Sequence, residues 1–287
     1  MNMNIRHVTP ADTETVGQII YEAFCGIADC HNFPRDYASV EAAVLMAQIS
    51  INNPDIYGIV AEADGKIVGS NFLWEQNEIR AVAGITIAPE KQSNGVGRKL
   101  MQAVIERGRG AKGIRLVQDA YNTASMSLYA DLGFDVKELL VLVEGTITGE
   151  ASEAIEVRPL TEEDFAACGE LCRRTHGFER NNELKQLSGM FPAFVAERKK
   201  RVVAYTSSPF FWQAKHAVAE SAEDMQELLA GAGRLTGQPV SFLLPTRQAE
   251  LFRWCLNQGL RVVKPMSLMA MGEYQEPRGC FLPSVLY

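Results

Sequence analysis

Gly84-Ile-Thr-Ile-Ala-Pro89 is a short β-rich run that stops at a proline, and shortly after it the chain passes through Gln92-Ser-Asn-Gly-Val-Gly-Arg98. It continues as Lys99-Leu-Met-Gln-Ala-Val-Ile-Glu-Arg107, in which Leu100, Met101, Val104 and Ile105 recur at helical spacing. A strand, a glycine turn and a helix start, in that order, make a pocket of free backbone N–H groups. The first turn of a helix has amide donors without intrahelical partners, and the helix dipole adds partial positive charge there. Gly95 and Gly97 lack the Cβ atoms that would keep a ligand away. Such a pocket takes phosphate or pyrophosphate. Two other phosphate motifs are excluded. A P-loop needs Gly-Lys followed by Ser or Thr, whereas Gly97 precedes Arg98-Lys99-Leu100; a dinucleotide fingerprint needs a glycine where Leu100 stands.

The bulk composition sets the frame around that motif. A chain of 287 residues is long enough for two ordinary domains, and 47% apolar with 22% charged residues is a soluble globular composition. A formal charge of −7 weighs against nucleic acid as a partner, which selects for a basic face. The dense basic cluster Arg198-Lys-Lys-Arg201 reads as a solvated turn between two strands. No apolar run is long enough to cross a bilayer, so no membrane partner is expected. The start Met-Asn-Met-Asn-Ile-Arg lacks the apolar core of a signal peptide, and a cytoplasmic location is the expectation. Six cysteines at 25, 30, 168, 172, 255 and 280 form no dense framework and read as free thiols in a reducing compartment. Neither Cys25, Cys30 and His31 nor the helical pair Cys168 and Cys172 supplies four ligands at a recurrent zinc spacing, so no metal is expected.

The chain contains a diverged repeat. Ile5-Arg-His-Val-Thr-Pro-Ala-Asp12 aligns with Val157-Arg-Pro-Leu-Thr-Glu-Glu-Asp164, and Arg6, Thr9, Asp12 and Gly17 meet Arg158, Thr161, Asp164 and Gly169 at one constant offset. Each segment reads as a short strand, a Thr or Asp cap, then an amphipathic helix. The polar stretch Gly145–Glu153 is the natural linker, giving domains over 1–146 and 155–287. In the first, strand and helix over 5–25 lead to a second helix at 38–50, and Asp64-Gly65 joins strands 57–62 and 66–74 as a hairpin. After the 84–107 unit come a strand at 113–118 and a helix from Ser125, and Leu132–Lys137 with Leu139–Val143 reads as a closing hairpin. The class is α/β, a mixed sheet with antiparallel strands first and a βαβ-like centre.

The order of elements, the Ile85-Thr-Ile-Ala-Pro89 strand, the Gln92-x-x-Gly95-x-Gly97 turn and the later Asn122-x-x-Ser125-x-x-Leu-Tyr129-x-x-Leu-Gly-Phe134 block resemble the GNAT superfamily of N-acetyltransferases over residues 4–143. The resemblance implies acetyl-CoA as donor. It implies that the amides of Gln92, Ser93, Asn94, Gly95, Val96, Gly97 and Arg98 hold the CoA pyrophosphate, and that the pantetheine arm runs alongside Ile85, Thr86 and Ile87 in a splayed gap of the sheet. Asn122 and Ser125 fall where members of the family touch that arm, and Tyr129 where many keep a general acid for the departing thiolate.

The chemistry asks for the same groups. An attacking amine must be neutral, yet a lysine-like amine has a pKa of about 10.4, so a base or a water path has to take its proton. When the thioester breaks, a thiolate of intrinsic pKa about 8.5 leaves, and a tyrosine of pKa about 10 can donate to it. The alternative for Tyr129, a ring that only fills the core beneath its helix, is the lesser reading given the block around it. Many family members carry a glutamate base on the strand before the Asn122 block; here that strand reads Leu116-Val-Gln-Asp119. Asp119 reads as a strand-end turn residue before it reads as a base, Glu75 and Glu78 are comparable candidates, and the base stays unassigned.

The second half begins like the first and loses the chemistry. After His216-Ala-Val-Ala-Glu220 the chain runs Ser-Ala-Glu-Asp-Met-Gln-Glu227 into a helix with no Gly-x-Gly, and its acids oppose a pyrophosphate. Trp254-Cys-Leu-Asn-Gln-Gly-Leu260 mimics the Leu-Gly-Phe block without its tyrosine. The fold expected is therefore two GNAT-like mixed-sheet domains in tandem, the second degenerate. The apolar tail Pro277–Tyr287 is expected to pack between the domains, and the carboxylate of Tyr287 is one further candidate base. The loop Cys25–Tyr37, with His31, Phe33, Arg35, Asp36 and Tyr37, either shapes an acceptor site or is an ordinary surface loop. The leading functional reading is transfer of acetyl to a small-molecule or peptide amine in a ternary complex. The alternatives are a non-catalytic acyl-CoA sensor and a transferase using another acyl chain or a thiol acceptor. A homodimer fits the chain, though no stretch marks a symmetric interface.

Overall fold

The computed structural model of the chain describes residues 3–148 and 155–286. The first half runs β1 Met3–His7, α1 Thr13–Cys30, α2 Val40–Asn52, β2 Ile56–Ala63, β3 Lys66–Trp74, β4 Ile79–Ile87, α3 Val96–Gly108, β5 Gly113–Asp119, α4 Thr123–Asp131 and β6 Asp135–Gly145. The second half repeats this order element for element: β7 Glu156–Pro159, α5 Phe165–His176, α6 Asn181–Ser188, β8 Phe194–Arg198, β9 Arg201–Thr206, β10 Ala217–Ala219, α7 Ala222–Thr236, β11 Val240–Pro245, α8 Ala249–Asn257 and β12 Arg261–Gly272. One strand, β13 Cys280–Leu282, is added after the repeat. The linker expected at Gly145–Glu153 lies from residue 149 onward outside the described residues.

The repeated sequence signature has a structural cause. Asp12 accepts from the backbone and hydroxyl of Thr9 and from Arg6, and Arg6 also reaches Glu62 on β2 at 2.8 Å. Asp164 accepts from Thr161 and Arg158 in the same pattern, and Arg158 reaches Glu197 on β8. Each carboxylate caps the turn that starts a helix while its arginine ties that turn to a strand. Gly17 and Gly169 lie at close helix approaches, where a Cβ would come within 2.5 Å of Val44 and 2.4 Å of Asn181.

The chain divides into two compact units. The first comprises Met1–Leu116, Tyr121–Asp135 and Ala270–Gly272; the second comprises Val117–Ala120, Val136–Met269 and Glu273–Tyr287. In the first, the sheet order is β1-β2-β3-β4-β5, antiparallel until β5 joins β4 in parallel. Helices α1 and α2 bury Val16, Ile20, Ala43 and Ala47 against Val60 and Phe72, and α3 buries Leu100, Met101 and Val104. Asp64 and Gly65 adopt paired left-handed conformations (φ 53° and 76°), the backbone a two-residue hairpin turn requires. In the second unit, β12, β6 and β11 are successive neighbours, and a second sheet runs β13-β10-β9-β8-β7. Lys199 and Lys200 form the turn between β8 and β9, with φ 51° and 62°.

Two expectations need correction. Helix α1 continues to Cys30, because Cys25 and Ala28 extend the buried stripe begun by Val16 and Ile20, so the Cys25–Tyr37 segment is a loop only after Cys30. Leu132–Lys137 and Leu139–Val143 form no hairpin; β6 is one strand, since Glu138 at the supposed turn is buried and bound by Arg247 at 2.8 Å. The tail, expected between the domains, pairs with β10 as a strand of the second unit's sheet. Tyr287 lies outside the described residues.

Candidate active site

Strand β4 is irregular where the site begins. Its register against β3 runs Asn71↔Ile85 and then Leu73↔Val82, so Ala83 and Gly84 together face Phe72 as a β-bulge. Gly84 takes φ +126°, which a side chain would resist. A bulge bends its strand. Parallel pairing with β5 joins Ile79–Ala81 to Gly113–Arg115, and past the bulge β4 runs on through Ile85, Thr86 and Ile87 beyond that pairing. Thr86 is buried and its hydroxyl meets Ser70 on β3 at 3.0 Å, so Thr86 offers a ligand its backbone and not its side chain.

The chain leaves β4 through a turn at Pro89–Lys91 and enters the predicted anion cradle. Ser93 and Gly95 are left-handed (φ 63° and 78°), Gly95 is the N-cap of α3, and residues 92–95 are exposed. No side chain caps this helix and its first turn holds no acid, so the donors of Val96, Gly97 and Arg98 face outward under the positive end of the dipole. A Cβ on Gly95 would meet nothing within 4 Å, which leaves room above the turn for a phosphate. Gln92 and Asn94 brace the loop: Gln92 Nε2 donates to the Ile87 carbonyl at 3.4 Å and Asn94 Nδ2 to the Gln92 carbonyl at 3.2 Å. Val96 anchors the turn in the core, and Arg98 pairs with Asp131 at 2.7 Å. At Gly97 a Cβ would lie 3.2 Å from Ile87 and 3.4 Å from Leu128, so the end of β4, the start of α3 and the body of α4 converge there.

Helix α4 completes the set. Asn122 is its N-cap, accepting from the Ser125 amide at 3.1 Å. Tyr129 is buried, edge-on to Phe134 with ring centroids 6.4 Å apart. Burial pushes its phenol up to about 12, against a hydrogen bond from Ser125 that pulls it down. The ring is thus both core filler and a phenol that keeps its proton at neutral pH. Three of the candidate bases are engaged, and the fourth, Tyr287, lies outside the described residues. Glu75 holds Arg80 and Arg107 at 2.8 Å each, Glu78 pairs with Lys112, and Asp119 pairs with buried Lys264 at 2.7 Å within the second unit.

Sequence reasoning missed Tyr121. Its ring stacks on Phe33 at 4.3 Å and 13° and lies 5.2 Å from the ring of His31, bringing the α1–α2 loop onto the start of α4. An aromatic directly before the Asn122 cap was the available signal. Arg35, by contrast, is held by Asp29 at 2.8 Å.

In the second half, Ser221, Gln248, Cys255 and Gly259 stand at one constant offset from Gly95, Asn122, Tyr129 and Gly133. Ser221 caps α7 by accepting from the Asp224 amide at 3.1 Å, and Arg198 binds the Asp224 carboxylate at 2.7 Å. The helix start that is open in α3 is filled in α7 by the chain itself. Burial raises the Cys255 thiol to about 12, which leaves it protonated.

Among the described residues, no three His, Cys, Asp or Glu side chains gather as a metal site, and no helix is long and apolar enough to cross a membrane. Residues 22–134 match the model of the acetyltransferase (GNAT) family. UPF0157 protein YqkA of Bacillus subtilis is 27% identical over 84 residues, which are 29% of this chain and 24% of YqkA, so the match spans about a quarter of that relative. A putative acetyltransferase from Pyrococcus horikoshii superposes with a TM-score of 0.78 at 19% identity, over 99% of this chain and 94% of that one. A GCN5-related N-acetyltransferase from Sphaerobacter thermophilus gives 0.62 at 16% identity, over 97% of each chain. A tandem GNAT protein from the clavulanic acid biosynthesis pathway gives 0.60 at 12% identity, over 96% of this chain and all of that one. These likenesses show the fold: two GNAT-like mixed-sheet domains in one chain.

Proposed function

Residues 22–134 make the first half of this chain a domain of the acetyltransferase (GNAT) family, and from that premise we propose that it moves an acetyl group from acetyl-CoA to an amine on a small molecule or peptide, by direct transfer in a ternary complex. The observation that carries the reading is the uncapped, acid-free start of α3, opening under the end of a strand that the bulge bends away. Pyrophosphate fits there by charge, by donors and by the open space over Gly95. The backbone of Ile85–Ile87 is suited to the pantetheine amides, and Asn122 and Ser125 to its far side.

Acetyl-CoA supplies the activated acyl group. Tyr129, protonated because burial holds its pKa near 12, donates to the sulfur as the C–S bond breaks. Glu75, Glu78 and Asp119 are committed to ion pairs, which favours a water path to solvent for the acceptor's proton. Stacked Phe33 and Tyr121 present an apolar wall to the acceptor.

The test is free-thiol release from acetyl-CoA against a library of amines, alongside calorimetric binding of CoA. Turnover with at least one amine class is expected. Binding of CoA without turnover of any acceptor would replace the transferase with an acyl-CoA sensor, and failure to bind CoA would overturn both.

A further inference from the structure

The second unit poses a question that its missing chemistry does not answer: what occupies the gap beside its fourth strand. Strand β10 is the counterpart of β4, and β13 pairs with it antiparallel through Ala217↔Leu282, Val218↔Phe281 and Ala219↔Cys280. The tail thus lies along the strand whose counterpart in the first half borders the splayed gap. Gln248, the N-cap of α8 and counterpart of Asn122, clasps this strand by its backbone. Its Nε2 donates to the Phe281 carbonyl at 2.6 Å, and the Phe281 N–H donates to its Oε1 at 3.0 Å. A side-chain amide that grips one N–H and one C=O reads a peptide group as such, whatever side chain it carries.

Further along, the Val285 N–H donates to the Gln213 carbonyl at 2.9 Å. Arg180 donates to the Ser284 hydroxyl at 3.0 Å and to the Leu286 carbonyl at 3.1 Å. That guanidinium is buried and held on its other edges by Glu183 at 2.6 and 2.8 Å and by His216 at 3.0 Å. A buried, fully bonded cation aimed at a chain carbonyl is a rigid anchor. Cys280, Phe281 and Leu282 are buried, whereas Glu273, Gln275 and Glu276 in the irregular connection after β12 are exposed.

We infer that the gap beside β10 is a binding slot for an extended peptide, and that the chain's own segment Gly279–Leu286 is its resident ligand. The slot recognises it as a ligand is recognised, by backbone pairing with β10, the Gln248 clasp and the Arg180 anchor, while the connection to it is exposed at Gln275 and Glu276 and held on either side by Tyr274 and Pro277. An added strand of this kind takes its affinity from main-chain bonds and its specificity from pockets for alternate side chains.

The experiment inserts a protease recognition sequence between Gln275 and Glu276 of the full chain, cleaves the folded protein, and follows the fragment by native mass spectrometry. The fragment is expected to stay bound without a covalent link and to exchange slowly with a labelled synthetic peptide of residues 276–287, but not with a scrambled one. Gln248→Ala should speed that exchange about tenfold or more, since both Phe281 backbone groups lose their partner. In the uncut chain, the same substitution should raise hydrogen exchange at Cys280 and Phe281 while leaving α7 protected. A cleaved protein that unfolds, one that stays folded and sheds the fragment at once, or exchange indifferent to Gln248→Ala overturns the inference.

Discussion

Lys215 is a charge with no catalytic task, and replacing it should stabilise the protein. Its side chain is fully buried between β9 and β10, donating to the Pro209 carbonyl at 3.0 Å and lying 4.4 Å from the centre of the Phe242 ring. Burial lowers its pKa from the ordinary 10.5 to about 7, the Cys255 interaction opposing this. Because the folded value lies below the unfolded one, the unfolded chain holds the proton more tightly. Stability is therefore lowest and flat below about pH 7, and it rises as pH climbs toward 10.5. At about 1.4 kcal/mol per tenfold change in protonation, the buried ammonium costs the fold about 4–5 kcal/mol at neutral pH. Lys215→Met removes that cost and takes one of two donors from the Pro209 carbonyl, which keeps the Ser241 N–H at 3.3 Å, a loss of about 1–2 kcal/mol. The net expectation is a gain of about 2–4 kcal/mol at pH 7 that shrinks by about 3 kcal/mol on going to pH 10, as the parent loses its penalty. Urea unfolding of parent and variant across that range measures both quantities. A variant less stable than the parent at pH 7, or a difference that does not move with pH, would refute the reasoning.

Tyr129→Phe should lower turnover about 10²–10⁴-fold while CoA affinity by calorimetry stays within a few-fold. In the parent, log kcat/KM should climb with pH to the acceptor amine's own pKa and show no falling limb short of about 12, where Tyr129 ionises; a limb near neutrality would point to a different acid. Gly95→Asp places a carboxylate and a strained left-handed residue at the open helix start, and CoA binding should weaken about tenfold or more, by roughly 1–2 kcal/mol, without loss of fold by circular dichroism. Asp12 is held down from 3.8 to about 2 chiefly by its bonds to Arg6. Its contribution is thus complete above about pH 4 and lost as pH falls through 2, and Asp12→Asn should cost about 1–2 kcal/mol at pH 7 and flatten that acid limb of thermal stability.

The parts of the molecule visible in the sequence are those fixed by local chemistry. The cradle could be read because a proline, two glycines and a 3.6-residue apolar period all lie within one short stretch. The repeat could be read because Thr9, Asp12 and Arg6 each make a bond that only those residue types make, and Thr161, Asp164 and Arg158 make the same ones. What escaped depends on partners distant in sequence. Nothing within Asp135–Gly145 says that β6 will lie between β11 and β12, and an alternation broken by Glu138 looks like a turn until Arg247 is found on it. Asp119 looked like a strand-end residue or a base because Lys264 could not be foreseen beside it. The bulge in β4 was signalled only by a lone glycine inside a strand pattern, at Gly84.

The two halves, built on one plan, show what an open site costs a fold. In α7 a serine cap and a first-turn aspartate satisfy the helix start, an arrangement worth about 1 kcal/mol from the cap and a few tenths to 1 from the dipole. In α3 the same position is a glycine with no cap and no acid, so that stabilisation is forgone. The fourth strand of the second half is paired on both sides, by β9 and β13; in the first half the parallel partner β5 joins only the beginning of β4. Helix α8 puts the amide of Gln248 on the chain's own backbone, while Asn122 turns back to its own helix. At each of these positions the second half has the arrangement a fold would settle into on stability alone. The first half departs from it each time in the direction a polyanionic, amide-bearing ligand would complete. Open backbone at two separated points, the start of α3 and the end of β4, beside an Asn122 amide that grips no other strand, is what a site kept open for binding would leave, and under the proposed function it makes one active site.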